Sequence, residues 1–184
     1  ASEKVFVSRD YHFNKVKTFH HMMDERTQEE PRAWDLEGAT HRAGFKIEEL
    51  VEFVRAASPS EEDFGRALSQ LHQALDKAAD KVAKKTPAQQ DLIGQVDALI
   101  DTLYFTYGSF VLMGVDPERI FDIVHQANMG KIFPDGKAHF DPVTHKILKP
   151  DDWEEKYAPE PAIKKELQRQ LKAYERHKER NNTQ

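Results

Sequence analysis

The stretch Val96-Asp97-Ala98-Leu99-Ile100-Asp101-Thr102-Leu103-Tyr104-Phe105-Thr106-Tyr107-Gly108 decides the reading of this chain. Two aspartates one helical turn apart sit among residues that are otherwise apolar or small from Val96 to Val115. Thr86-Pro87 offers a cap and a first-turn proline, so the sequence predicts a helix from there to Met113, roughly 40 Å long. Its composition predicts a central, buried position. Ionised carboxylates there would be untenable alone: their pKa values would rise, or a cation would hold them charged. No Lys or Arg occurs between Lys85 and Arg119, so the compensating charge must come from another helix or a metal ion.

Working outward, Ile47, Leu50, Val51 and Val54 recur on one face of a helix expected over 37–57, which Ser58-Pro59-Ser60 ends. Ser60 and Asp63 resemble a capping box opening a third helix, whose Phe64, Leu68, Leu71, Leu75 and Val82 form a narrow apolar seam. Val5 to His21 reads as a first helix, and Asp24 to Arg32 as a polar connection. Gly114 closes the fourth helix, Asp116-Pro117 opens a fifth running to Met129, and Gly130 stops it. The short connection predicts a tight antiparallel turn. Pro134-Asp135-Gly136, Pro142 and Pro150 mark residues 131–157 as a loop over the bundle. Ala162 to Arg180 reads as a charged helix at the periphery. The expected fold is all-α: an antiparallel bundle of four to five core helices with a C-terminal loop, one domain over 1–157 and a helical tail over 158–184.

The second helix carries Glu48, Glu49 and Glu52, which fall within an arc of roughly 100° on one flank. Alone they describe a solvated acidic face. With Asp97 and Asp101 they form a set of oxygen donors of the kind that Mg²⁺ or Mn²⁺ prefers. The competing arrangement has Arg42 or Lys46 in salt bridges with the two aspartates.

In these residues the chain resembles the all-α nucleoside triphosphate pyrophosphohydrolase superfamily, which includes MazG-like proteins and dimeric dUTPases. Its hallmark is a Glu-x-x-Glu helix followed by a Glu-x-x-Asp helix. Glu49-Leu50-Val51-Glu52 matches the first, preceded by Glu48, and Asp101 matches the final aspartate of the second. The chain departs at one place: Ala98 stands where the family has glutamate, and Asp97 is one residue earlier, on the same face as Asp101. The runs Asp-x-Leu-Tyr-x-Thr-Tyr-Gly from Asp101 and His-x-Ala-Asn-x-x-Lys from His125 look closest to the MazG-like subgroup with dUTPase-like activity. The resemblance continues through Asp135-Gly136-Lys137 and Leu148-Lys149-Pro150.

The resemblance implies a Mg²⁺-dependent hydrolase, with Mn²⁺ as an alternative, that releases a nucleoside monophosphate and pyrophosphate. Glu48, Glu49, Glu52, Asp97 and Asp101 are then the metal ligands, and Glu48 or Glu49 the general base. Asn128 and Lys131 are substrate contacts, with Lys137 and Lys149 as further candidates. dUTP is the first expectation for substrate and a non-standard nucleotide the second. The resemblance also implies dimers or pairs of dimers.

Composition narrows the alternatives. A formal charge of −5 argues against a broad nucleic-acid surface. No apolar run is long enough to cross a bilayer. The absence of cysteine excludes disulfides and thiolate metal sites, and a cytoplasmic location is the default expectation. Two other classes compete: a non-catalytic helical interaction module, and a carboxylate-bridged di-iron bundle suggested by Asp122-x-x-His125. The latter lacks the second such motif.

Overall fold

The computed structural model describes residues 8–24 and 29–183. The expected helical start at Val5 lies outside them. Among the described residues the chain is all-α, with seven helices: α1 (Tyr11–Met23), α2 (Leu36–Ala56), α3 (Glu61–Val82), α4 (Leu92–Met113), α5 (Glu118–Met129), α6 (Trp153–Tyr157) and α7 (Glu160–Asn182). The chain divides into two compact units, Glu30–Thr102 and the combination of Ala1–Glu29 with Leu103–Gln184.

In the Glu30–Thr102 unit, Asp35 caps α2 by accepting from the Gly38 amide at 2.7 Å. The Trp34 ring folds over Gly38, where a Cβ would fall 2.5 Å from ring atom Cε3. Trp34 is in turn tied to the start of α4: its amide donates to Gln95 Oε1 at 2.8 Å, and Gln95 Nε2 donates to its carbonyl at 3.1 Å. Only the N-cap half of the expected capping box forms. Ser60 Oγ accepts from the Asp63 amide at 3.1 Å and donates to Asp63 Oδ2 at 2.9 Å. α3 packs on α2, and Arg55 of α2 spans the connection, lying over the Phe64 ring and pairing with Glu61.

The fourth helix starts later than its Thr86-Pro87 signal. Gln90 takes a left-handed conformation at φ 50°, and Asp91 caps the helix by accepting from the Gly94 amide at 2.9 Å. A side-chain acceptor next to a reversed backbone outcompetes a proline start. The C-terminal end is as expected. Gly114 at φ 71° and the Val115 amide donating to the Phe110 carbonyl at 3.1 Å form a Schellman closure.

In the other unit, α5 is the hub, packing on α1, α6 and α7. The antiparallel turn expected after Gly114 does not form: α5 does not pack on the 103–113 end of α4, the part of that helix in its own unit. Its faces are used elsewhere: Phe121 stacks on His12 of α1 at 4.0 Å, and Lys15 of α1 pairs with Asp122. The peripheral tail expected at the C-terminus packs its first half on α5. Glu166 is buried there, and Arg169 holds it in a bidentate ion pair at 2.7–3.0 Å. Gln170 exchanges two hydrogen bonds with the Asp116 backbone at 2.9 and 3.0 Å.

The expected loop contains α6 and one antiparallel bridge, Phe140 to Ile147. Gly130 ends α5 for a reason different from the one expected. Its φ is −65°, which any residue adopts. What it lacks is space, because a Cβ there would sit 2.4 Å from Tyr157 Cγ.

Candidate active site

All five carboxylates proposed as ligands belong to the Glu30–Thr102 unit. Glu48, Glu49 and Glu52 lie in the middle of α2, and Asp97 and Asp101 in the first half of α4. The expected burial of α4 is not found. Asp97 and Asp101 are exposed, and so are apolar neighbours, Ile93 at 84% among them. The apolar composition of this helix is real, but this chain alone does not cover it. Backbones of α2 and of the 92–102 part of α4 have no Cα pair within 8 Å. Among the described residues no three His, Asp or Glu side chains are gathered closely enough to hold an ion.

The competing salt bridges are absent as well. Lys46 donates to the Arg42 carbonyl at 3.3 Å, and the Arg42 guanidinium lies over the Phe45 ring at 5.7 Å. Burial, then the Arg42 charge, lowers the Lys46 pKa. Neither base reaches Asp97 or Asp101. The di-iron reading also finds no support: Asp122 is committed to Lys15, and burial followed by the Lys15 charge pulls the His125 imidazole below its ordinary range.

The substrate candidates all belong to the other unit. Asn128 is half-buried near the end of α5, and its carbonyl accepts from the Lys131 amide at 3.0 Å. Lys131 Nζ lies 5.9 Å from the centroid of the Trp153 ring, and Lys149 Nζ lies 4.2 Å from it. Lys137 stands apart in an exposed turn, where its amide donates to Asp135 Oδ1 at 2.9 Å and its carbonyl accepts from the Phe133 amide at 2.9 Å. The same Asp135 holds His139 at 2.7 Å beneath the Phe133 ring, and these bonds keep the Asp135 carboxyl below the usual carboxylate range.

Trp153 is the residue that sequence reasoning missed. It is 7% exposed, and its indole N–H donates to the Ala127 carbonyl at 2.7 Å, locking α6 onto α5. The available signal was its rarity, as one of two tryptophans, four residues after Lys149.

This chain, all-helical among the described residues, is a nucleotide pyrophosphohydrolase, a hydrolase acting on phosphoanhydrides. The chain belongs to the phosphoribosyl-ATP pyrophosphohydrolase family, whose model matches residues 16–128. It is also similar to a solved structure from Exiguobacterium sp. 255-15, a candidate NTP pyrophosphohydrolase, with 38% identity and a TM-score of 0.82 over 91% of this chain and 99% of that one. None of the curated proteins compared with it matches. The family match spans all five carboxylates and Asn128, whereas Lys131, Lys137, Lys149 and Trp153 lie beyond it.

Proposed function

We propose that this protein is a Mg²⁺-dependent nucleoside triphosphate pyrophosphohydrolase of the MazG-like, dUTPase-like subgroup, acting on dUTP or a non-standard nucleotide. The observation that carries the reading is the placement of Glu48-Glu49-x-x-Glu52 and Asp97-x-x-x-Asp101 on two helices of one unit, inside the residues matched by a pyrophosphohydrolase family. The donor set fits a hard cation: it is all carboxylate, and Asp97 and Asp101 have no basic partner among the described residues. Mn²⁺ would be accepted by the same oxygens.

Glu48, Glu49, Glu52 and Asp101 would hold the metal, assisted by Asp97. A bound ion would supply charge neutralisation for the triphosphate and a lowered pKa for water. Glu48 or Glu49 accepts the proton of the attacking water, whose oxygen bonds to phosphorus. The Pα–O–Pβ bond breaks as the water oxygen bonds to one of its two phosphorus atoms, the bridging oxygen leaves with the electron pair on the other, and the products are a nucleoside monophosphate and pyrophosphate. Asn128 offers paired donor and acceptor groups to a base or sugar edge, while Lys131 and Lys149, with Lys137 as an outlying candidate, offer point charges to phosphate.

The working form is a homodimer or a pair of dimers. Ile93, Leu112 and Val111 are 76–90% exposed on a helix too apolar to face water, and a second copy of the chain would cover them. No helix among the described residues is long and apolar enough to cross a membrane. The cytoplasmic setting that we propose rests on the cysteine-free composition. Purified protein assayed against a panel of ribo- and deoxynucleoside triphosphates, with pyrophosphate as the detected product, tests the proposal. Turnover of dUTP or a modified nucleotide above the four standard deoxynucleotides is expected, and uniform inactivity or release of orthophosphate alone would overturn it.

A further inference from the structure

One face of α7 is used within the chain and another is not. Toward α5 it buries Glu166 and ties Gln170 to the Asp116 backbone. Beside that face Ile163, Leu167, Leu171 and Tyr174 form an apolar stripe, confined to an arc of roughly 80° at 100° per residue. The stripe is open: Leu167, Leu171 and Tyr174 are 39, 58 and 61% exposed, and a groove lined by Glu160, Lys164 and Gln168 with Ile163, Leu167 and Leu171 runs along it. From Leu171 to Thr183 every residue is exposed. A helix in a protein persists mainly through packing of its apolar face, so this half of α7 calls for a cover.

The charges around the stripe say what fits it. Glu160 stands at one end and Lys178 at the other, while Lys164 and Glu175 border the flank opposite Gln170. None of these four makes an ion pair among the described residues. Reversed about residue 169, the stripe matches itself with its charges exchanged: Leu167 trades places with Leu171 and Glu160 with Lys178, and Lys164 falls beside Glu175, one residue out of register. Two copies of α7 related by a twofold axis make this exchange, because an isologous contact sets each residue against its counterpart twice. An antiparallel pair therefore joins Glu160 to Lys178 and Lys164 to Glu175 across the seam, each of them twice, and opposes the two helix dipoles. A parallel pair would instead set Glu160 beside Glu160 and Lys178 beside Lys178. Exposed ion pairs add little energy, so the apolar stripe supplies adhesion and the charges fix direction and register. An anionic lipid surface fits less well, since Glu160 and Glu175 on the border of the stripe would face its headgroups.

We propose that α7 is a self-pairing surface: the stripe from Ile163 to Tyr174 docks antiparallel on the same stripe of a second copy, about a twofold axis beside Arg169. This surface is separate from the exposed face of α4. It lies beyond residues 16–128 matched by the family and does not rest on the hydrolase reading.

The full-length chain is suited to cross-linking because it contains no cysteine. Lys164→Cys and Glu175→Cys chains, co-expressed and treated with a short bismaleimide, should give a cross-linked dimer about tenfold more abundant than either variant gives alone. Each variant cross-linking chiefly to itself, or no cross-linked dimer in any sample, overturns the proposal. Sedimentation gives a second arm. Leu167→Glu with Leu171→Glu should halve the mass of the wild-type assembly with helical circular dichroism retained, and an unchanged mass in that folded variant overturns the proposal. Should the double variant not fold, the exposed charges decide. Lys164→Glu should weaken self-association about tenfold, and adding Glu175→Lys should restore it to within about threefold. Failure of the second change to restore it overturns the register, as does sedimentation of the wild type with phosphatidylserine vesicles as a monomer. Hydrolysis is not a readout in any arm, so an inactive wild type would leave this test intact.

Discussion

Gly130 and Tyr157 are in such close apposition that no methyl group fits between them: a Cβ on Gly130 would lie 2.4 Å from Tyr157 Cγ and 2.6–2.8 Å from two further ring carbons. Together with the Trp153–Ala127 hydrogen bond, this contact docks α6 on the end of α5.

Gly130→Ala should therefore cost about 1–3 kcal/mol, because the ring must move or the helix end must shift. Urea unfolding monitored by circular dichroism measures the loss. Wild-type stability would show that the Tyr157 ring yields without cost.

His125 predicts a pH dependence of stability. Its pKa is lowered in the folded chain, first by burial and second by Lys15, whose partner Asp122 lies one turn earlier on α5. Between that lowered value and the ordinary value near 6.5, the unfolded chain binds a proton that the folded chain refuses. Stability should thus be fully present above about pH 6.5 and decline as pH falls below it. His125→Gln should flatten this part of the profile, and denaturation midpoints between pH 7.5 and 5, values chosen to be about one unit or more either side of the ordinary histidine pKa, measure it.

Metal binding predicts a stability change that needs no substrate. If the carboxylates of α2 and α4 hold a divalent ion only in the folded protein, Mg²⁺ at about 100 times its dissociation constant should stabilise the fold by roughly 2.7 kcal/mol. A chelator should reverse the shift in the thermal midpoint, and a non-hydrolysable triphosphate should add to it. A helical interaction module without catalysis would respond to neither.

The sequence made the helices legible because their signals are local. Ser60 with Asp63, Gly114 with the residues after it, and the periodic apolar positions of α2 each act within a turn or two of the chain. The start of α4 was misplaced because Thr86-Pro87 and Asp91 are both plausible caps, and only the reversed backbone at Gln90 separates them. The burial of α4 was misjudged for a different reason. Apolar composition says that a helix wants covering, but it is silent on whether the cover comes from the same chain. Among the candidate site residues, Glu48, Glu49, Glu52 and Asp101 stood out as a spaced pattern. Trp153 did not, because its burial and its bond to the Ala127 carbonyl, 26 residues away, arise only from the docking of α6 on α5.

The central claim is that carboxylates on α2 and α4 make a magnesium-dependent hydrolase. Its most direct test is the rate of pyrophosphate release from nucleoside triphosphate, with and without Mg²⁺, in wild type, Glu49→Ala and Asp101→Ala. The account predicts metal-dependent turnover in the wild type and a loss of about a hundredfold or more in each variant, with helical circular dichroism retained. Wild-type rates in both variants, or turnover indifferent to a chelator, would contradict it.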